Sequence, residues 1–549
     1  MAPLRTGIFA LRLAAVSLWP LVSWGYVWPN EKNDQIESIL YEQSNGVVSG
    51  VRGCTGGAVA GAPGRSTAAE WLRNAYHDMA TADIGVGTGG MDASIVFESA
   101  RDENKGKAFS ETRAQFTGLQ TTRSSLSDLF ALAAIVSIAS CSNGTVLIPM
   151  RPGRVDATSP GPSGVPRPEE DLPSHTASFQ RQGFNVTEMI ALVACGHTIG
   201  GVHGVDFPDI VPITNDDPSD DNTVTFDTTT DIFDNNVAKQ FVANVSQNPL
   251  AFGSNITTRS DFRIFNADGG NTIGNMAKSN DFFISTCATV LEKMLNTAPK
   301  EVVLGRPIEP LLVKPGSFNV EIGTDGNMTV LGRIRVADTL LTSASSQVIV
   351  HLTPRSGIAC SGTQQCSRGL ATRDVSKDSH CVYPNCGPSW GFYNFNITGI
   401  PILQGISSFT VEIFDNTTGI SVIYDNEGHE FPLSDAIQTQ KSRSSQWLAS
   451  GTLLNLTVAV LNDEQFTNVS FIVPEVMDPF AAMRTFAPVI VPMVPSLRLE
   501  RSNYTLYNGV YTTLKSGVNH PYDIVATGPG VTVSNKFLQW DFALKKPTS

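Results

Sequence analysis

Apolar positions recur with helical spacing over the first three hundred residues and alternate after that. The run SDLFALAAIVSIAS (127–140) is apolar all round, which predicts a buried helix with Ser127 as its N-cap. VTEMIALVACGHTIGG (186–201) and DFFISTCATVLEKMLN (281–296) predict two more helices, and polar connections rich in Gly and Pro, such as 151–173, separate these elements. In STAAEWLRNAYHDMATAD, Ser66 is a cap ahead of a stripe of Trp71, Leu72, Ala75, Tyr76 and Met79. Beyond TAPKEVVLGRPIEP the pattern becomes short and alternating: FNVEI (318–322), QVIVHL (347–352), FTVEIF (409–414), LNLTVAVL (454–461) and NVSFIV (468–473). The expected fold is therefore multidomain. A mainly α region spans 26–304, and a β-rich, sandwich-like region spans 305–549.

Composition narrows the setting. Hydrophobic residues at 41 % and charged residues at 16 % describe a packed globular chain, and a formal net charge of −13 disfavours nonspecific attraction to nucleic acid or anionic membranes. Residues 1–25 have Arg5 and Arg12 ahead of an apolar run and small residues at Ser23 and Gly25, the pattern of a cleaved secretory signal; a membrane anchor fits the short, Pro20-interrupted run less well. Ten N-x-S/T sequons, at Asn143, Asn185, Asn244, Asn255, Asn327, Asn396, Asn416, Asn455, Asn468 and Asn503, agree with export. The eight cysteines contain no C-x-x-C pair, so disulfides are expected rather than zinc. The expected product is a secreted monomeric glycoprotein without a membrane span.

Candidate chemistry begins in LRNAYHDMA (72–80), where Arg73 and His77 lie at i,i+4 on one helix face with Asp78 next to them. A fixed cation disfavours protonation of a neighbouring imidazole. A neutral His beside it can take a proton from one atom while the cation stabilises charge on another. Taken alone, the pair is more simply a surface Arg beside a satisfied core His, since charged i,i+4 pairs are common.

Further stretches extend the pattern. GGMDASIVFE holds Gly90, Asp92 and Ser94; FESARDENKG holds Glu98 and Asn104; ACGHTIGG holds His197 and Thr198; FDTTTDIFDNN holds Asp227, Thr229, Ile232 and Asp234; TTRSDFRIF holds Asp261. In order and spacing these segments, over about 50–300, resemble the plant, fungal and bacterial haem peroxidase superfamily, and most of all its secreted fungal branch. The resemblance implies haem b and two calcium ions. It implies His197 as iron ligand with Asp261 on its other nitrogen, and His77 as acid and base toward H2O2. Arg73 would stabilise departing negative charge, Asn104 would fix the His77 tautomer, and Tyr76 would lie beside the haem. Phe226 falls where some members keep a radical-storing Trp. Asp78, Gly90, Asp92 and Ser94 would hold distal calcium, and Thr198, Asp227, Thr229, Ile232 and Asp234 proximal calcium. By the same resemblance Cys54 pairs with Cys141. Cys195 pairs with Cys287 or stays a buried thiol, and Cys360, Cys366, Cys381 and Cys386 pair within one loop.

The departures from that family matter for the reducing substrate. Ser66, Glu70 and His203 stand where manganese-oxidising members keep three acids, Leu192 where others expose a Trp, and Asp206 where ascorbate-type members keep an Arg. Small phenol-like donors at a haem edge remain. Beyond residue 305 no catalytic set is visible: His351, His380, His429 and His520 are scattered, and Trp390 or Trp447 could stack on sugars if this region contacts a cell wall or polysaccharide. The other readings are a non-catalytic structural or wall-binding glycoprotein on a peroxidase scaffold, and catalase-like disproportionation.

Overall fold

The computed structural model describes residues 26–43, 46–49, 54, 65–214, 221–355, 367–380, 385, 387–447, 452–462, 466–478, 481–513, 521–539 and 543–544. The expected leader, His520 and the four cysteines from Cys360 to Cys386 lie outside these residues.

Helices dominate the chain up to Asn296, and strands dominate from Val313 onward. The Leu126–Cys141 helix is buried along its whole length, as an all-apolar sequence requires. Its cap is Ser125, whose hydroxyl accepts from Asp128 N. Ser127, expected as the cap, lies inside the first turn, and its amide and hydroxyl both reach Asp156 Oδ1 at 2.8 Å. The helices Thr67–Met79, Val186–Gly196 and Asn280–Asn296 pack into the same core. Val186–Gly196 starts with a reciprocal capping box between Asn185 and Glu188 and stops at Gly196, five residues earlier than its apolar pattern suggests. Disulfides join Cys54 to Cys141 and Cys195 to Cys287, so Cys195 is not a free thiol.

The β-rich region contains two units. In the first, eight strands pair antiparallel, and inward residues such as Val320, Val330, Val350, Phe395 and Val411 share one core. In the second, a six-stranded and a four-stranded sheet enclose Leu454, Leu456 and Val458 from one side and Val469, Phe471 and Ile524 from the other. That is a sandwich. The alternating runs recognised in the sequence are all strands here.

The two regions meet at a buried ion cluster. Glu37, fully buried, accepts from Arg335 and Lys314 at 2.5 Å each, and Arg335 stacks over Trp390 at 4.0 Å. Residues 34–42 thereby pack on the β region although they precede the helical core. Trp390 is itself fully buried and donates its indole N–H to Tyr41 O, so it offers no face to a sugar. Among the described residues, no helix is long and apolar enough to cross a membrane.

Candidate active site

The Thr67–Met79 helix is fixed at its start by Ser66, whose hydroxyl accepts from Ala69 N, and along its inner face by Trp71, Leu72, Ala75 and Met79. Trp71 is locked by a 2.5 Å bond to Gln115 and edge contact with Phe116. This packing directs Arg73, Tyr76 and His77 toward one cavity of about 710 Å³, whose lining also includes His197, Leu192, Phe226, Asp261 and Ile264. Gly200, at φ +79°, lets the chain after His197 close beneath the helix; a Cβ there would fall 2.6 Å from Ala69 Cβ.

His77 Nδ1 lies 2.8 Å from Asn104 Oδ1, and Asn104 Nδ2 donates to Glu98 O at 3.1 Å. The second bond fixes which end of the amide is oxygen, so His77 Nδ1 is the donor and Nε2 keeps its lone pair. Burial, reinforced by the Arg73 charge, lowers the His77 pKa to about 3 against the opposing Asn104 bond, so the ring is neutral at ordinary pH. Arg73 donates to Lys105 O at 2.9 Å and sits over the rings of Phe109 (4.7 Å) and Phe207 (5.4 Å). Burial lowers its pKa to about 10, which leaves it charged. Tyr76 stacks on Phe179 at 6.0 Å.

Across the cavity, His197 follows the last turn of Val186–Gly196. Its Nδ1 lies 2.8 Å from Asp261 Oδ2, and Phe226 stacks on its ring at 4.3 Å. A carboxylate only accepts, so Nδ1 is the donor and Nε2 keeps its lone pair.

The sequence reading missed a charged cluster at the cavity mouth. Arg65, almost fully buried, meets Asp221 at 2.5 Å, Asp206 at 2.7 Å and Glu70 at 3.3 Å. His203 bonds Thr223 Oγ1 at 2.7 Å and lies 4.0 Å from Asp221. Burial, with Glu111 nearby, pushes Glu70 up to about 7, while burial and then Arg65 push His203 down to about 4. Three carboxylates do converge here, where the sequence offsets supplied one, but a guanidinium occupies their centre.

The two expected cation sets differ in the structure. Thr198 Oγ1 donates to Asp234 O at 2.5 Å, Thr229 reaches both Asp227 Oδ1 and Asp234 Oδ1, and Asp227 Oδ2 is buried with no hydrogen-bond partner. Burial, with Asp234 adding repulsion, pushes Asp227 up to about 6. Two carboxylates, one of them with an orphaned oxygen, and two hydroxyls fit a hard cation. Ile232 has an exposed side chain, so only its carbonyl could contribute. At the other set, Asp78 accepts from the backbone N–H groups of Asp92, Ala93 and Ile95, and Asp92 Oδ1 accepts from Ser94 N. Gly90 N–H donates to Thr81 Oγ1, a bond that leaves its carbonyl oxygen, the atom that would face a cation, unaffected. Asp78 thereby anchors the loop, while Ser94 Oγ is buried with no hydrogen-bond partner, and burial and then the Asp92 charge raise the Asp78 pKa, features that a cation here would relieve. Among the described residues, no group of three or more His, Cys, Asp or Glu side chains forms a metal-holding cluster.

A sequence profile of the family described as Peroxidase matches residues 57–279. A WSC domain-containing protein from Arthroderma benhamiae is 35 % identical over 524 residues, covering 93 % of this chain and 67 % of that protein. Putative L-ascorbate peroxidase 6 from Arabidopsis thaliana is 32 % identical over 142 residues, covering 25 % of this chain and 42 % of its own length. Peroxidase 22.3 from Oryza sativa subsp. japonica is 27 % identical over 240 residues, covering 38 % of this chain and 72 % of its own. The chain belongs to the plant, fungal and bacterial peroxidase superfamily, with a helical peroxidase domain at residues 57–279 and a β-rich C-terminal extension beyond it.

Proposed function

We propose that this protein is a haem peroxidase that reduces H2O2 to water with electrons taken one at a time from small phenol-like donors. The observation that carries this reading is the pair of imidazoles lining one cavity, His77 held by Asn104 and His197 held by Asp261, each with Nε2 left as the lone-pair nitrogen. The cavity lies in the size range of cofactor pockets, its walls are largely apolar, and a free imidazole nitrogen is an ordinary haem ligand. When bound, haem supplies the redox chemistry that accepts the peroxide oxygen and stores the oxidising equivalents.

The protein's own groups handle protons and charge. His77 Nε2 accepts the proton of the first peroxide oxygen and returns it to the second, which leaves as water. Arg73, fixed between Phe109, Phe207 and Lys105 O, stabilises negative charge on that departing oxygen. Asn104 keeps His77 in the basic tautomer, and Asp261 orients His197 and strengthens it as a donor. Asp206 stands where ascorbate-type members keep an Arg and is paired with Arg65, which supports neutral phenols rather than an anionic reductant as the donor class.

Secretion, with removal of residues 1–25, and two calcium ions, one at Thr198, Asp227, Thr229 and Asp234 and one at Asp78, Gly90, Asp92 and Ser94, complete this reading. So does a working division into 26–304 and 305–549, the latter contacting a wall or polysaccharide. A non-catalytic wall-binding scaffold is the second reading, and the long match to a protein whose name carries a WSC domain rather than an activity favours it. His77→Ala separates the two. The peroxidase reading expects haem retained and reaction with peroxide slowed about 100- to 10,000-fold; unchanged peroxide kinetics would remove His77 from the mechanism.

A further inference from the structure

Behind His197 the structure places a side chain that the mechanism above does not use. Asn248 is almost fully buried, and its amide nitrogen lies 2.7 Å from Asp261 Oδ2, the same oxygen that receives His197 Nδ1 at 2.8 Å. Its own Oδ1 accepts from Leu250 N at 2.8 Å, capping the short Pro249–Phe252 helix. That backbone donor identifies the oxygen end of the amide, so Nδ2 is the donor toward the carboxylate. Among the described residues, Asp261 Oδ1 accepts only from the Ser260 hydroxyl, at 3.4 Å. Phe226, stacked on His197, has no hydrogen to donate. Asn248 is therefore the one strong competitor, among the described residues, for the oxygen that polarises His197.

We propose that Asn248 is a positioning residue that sets how strongly Asp261 pulls on the His197 Nδ1 proton, and through it the donor strength of His197 toward haem iron. The inference rests on the reading of His197 as the axial ligand. An N–H donated to a carboxylate stabilises its negative charge. With part of its charge engaged by Asn248, Asp261 Oδ2 draws less on the Nδ1 proton, and the ring keeps less imidazolate character. Removing the donor concentrates the carboxylate on His197, which becomes the stronger ligand and favours the ferric state.

The test uses haem-loaded full-length protein carrying Asn248→Ala or Asn248→Ser. The serine hydroxyl can keep the helix cap, but it is too short to cap Leu250 and reach Asp261 together. In both variants the ferrous iron–histidine stretch, read by resonance Raman, should move to higher frequency, and the ferric/ferrous midpoint potential should move lower. Wild-type frequency and potential in Asn248→Ser, with only a lowered melting temperature in Asn248→Ala, would reduce Asn248 to a helix cap and overturn the proposal, as would a shift to lower frequency. Failure of the underlying reading looks different: wild-type protein would show no iron–histidine band at all.

Discussion

Replacing Asn104 by Ala tests whether the cavity is organised for proton transfer. The substitution deletes the 2.8 Å acceptor for His77 Nδ1 and leaves that N–H buried without a partner. An unsatisfied buried donor costs about 1–3 kcal/mol. His77 avoids the cost by moving its proton to Nε2, which abolishes its role as base, or by rotating the ring away. At about 1.4 kcal/mol per tenfold, the productive arrangement becomes roughly 5- to 150-fold rarer. The assay is stopped-flow measurement of the second-order rate constant for haem-loaded protein with H2O2, followed in the Soret band. Asn104→Ala should lose about one to two orders of magnitude, and Asn104→Asp, which keeps an acceptor, should lose far less. Equal rates in wild type and Asn104→Ala, or equal losses in Ala and Asp, would refute the argument from tautomer control.

The depressed His77 pKa predicts that the same rate constant stays flat from neutral pH down to about 4 and falls as the ring protonates near 3; a midpoint near 6.5 would show an exposed imidazole. Glu37→Ala removes the buried carboxylate shared by Arg335 and Lys314, leaving Arg335 with Glu42 and Lys314 with Asp34 O and Ser38 Oγ, so denaturant unfolding should show a loss of about 3 kcal/mol; a change below about 1 kcal/mol would mean water reaches them. Asp227→Asn should remove one tightly bound calcium, measured by elemental analysis, and lower the melting temperature; unchanged calcium content would place the ion elsewhere.

Local chemistry was the most legible part of the sequence. Ser66 caps its helix, and the i,i+4 spacing of Arg73 and His77 turns both into one cavity, because each of these follows from a single helical stretch. Asn104 and Asp261, far along the chain from their histidines, were reachable only through the family resemblance. The Arg65 cluster was not legible: Asp221 is 156 residues away, and a count of acids at fixed offsets from Arg73 and His197 passes over it. Asn248 was invisible for the same reason, as an ordinary turn residue whose partner is set by tertiary packing. Ser125 and Ser127 were indistinguishable as caps until Asp156 took the bonds of Ser127. Strand alternation found the β region but not its division into two cores, since which strands share a core is a matter of pairing order.

The central claim is that His77 and His197 face a haem at which peroxide is cleaved. Its most direct test is the visible spectrum of haem-replete protein before and after one equivalent of H2O2, followed by addition of a phenol. The account predicts a Soret band that weakens and shifts with peroxide and returns with the phenol. A Soret band indifferent to peroxide, or none at all, would contradict it.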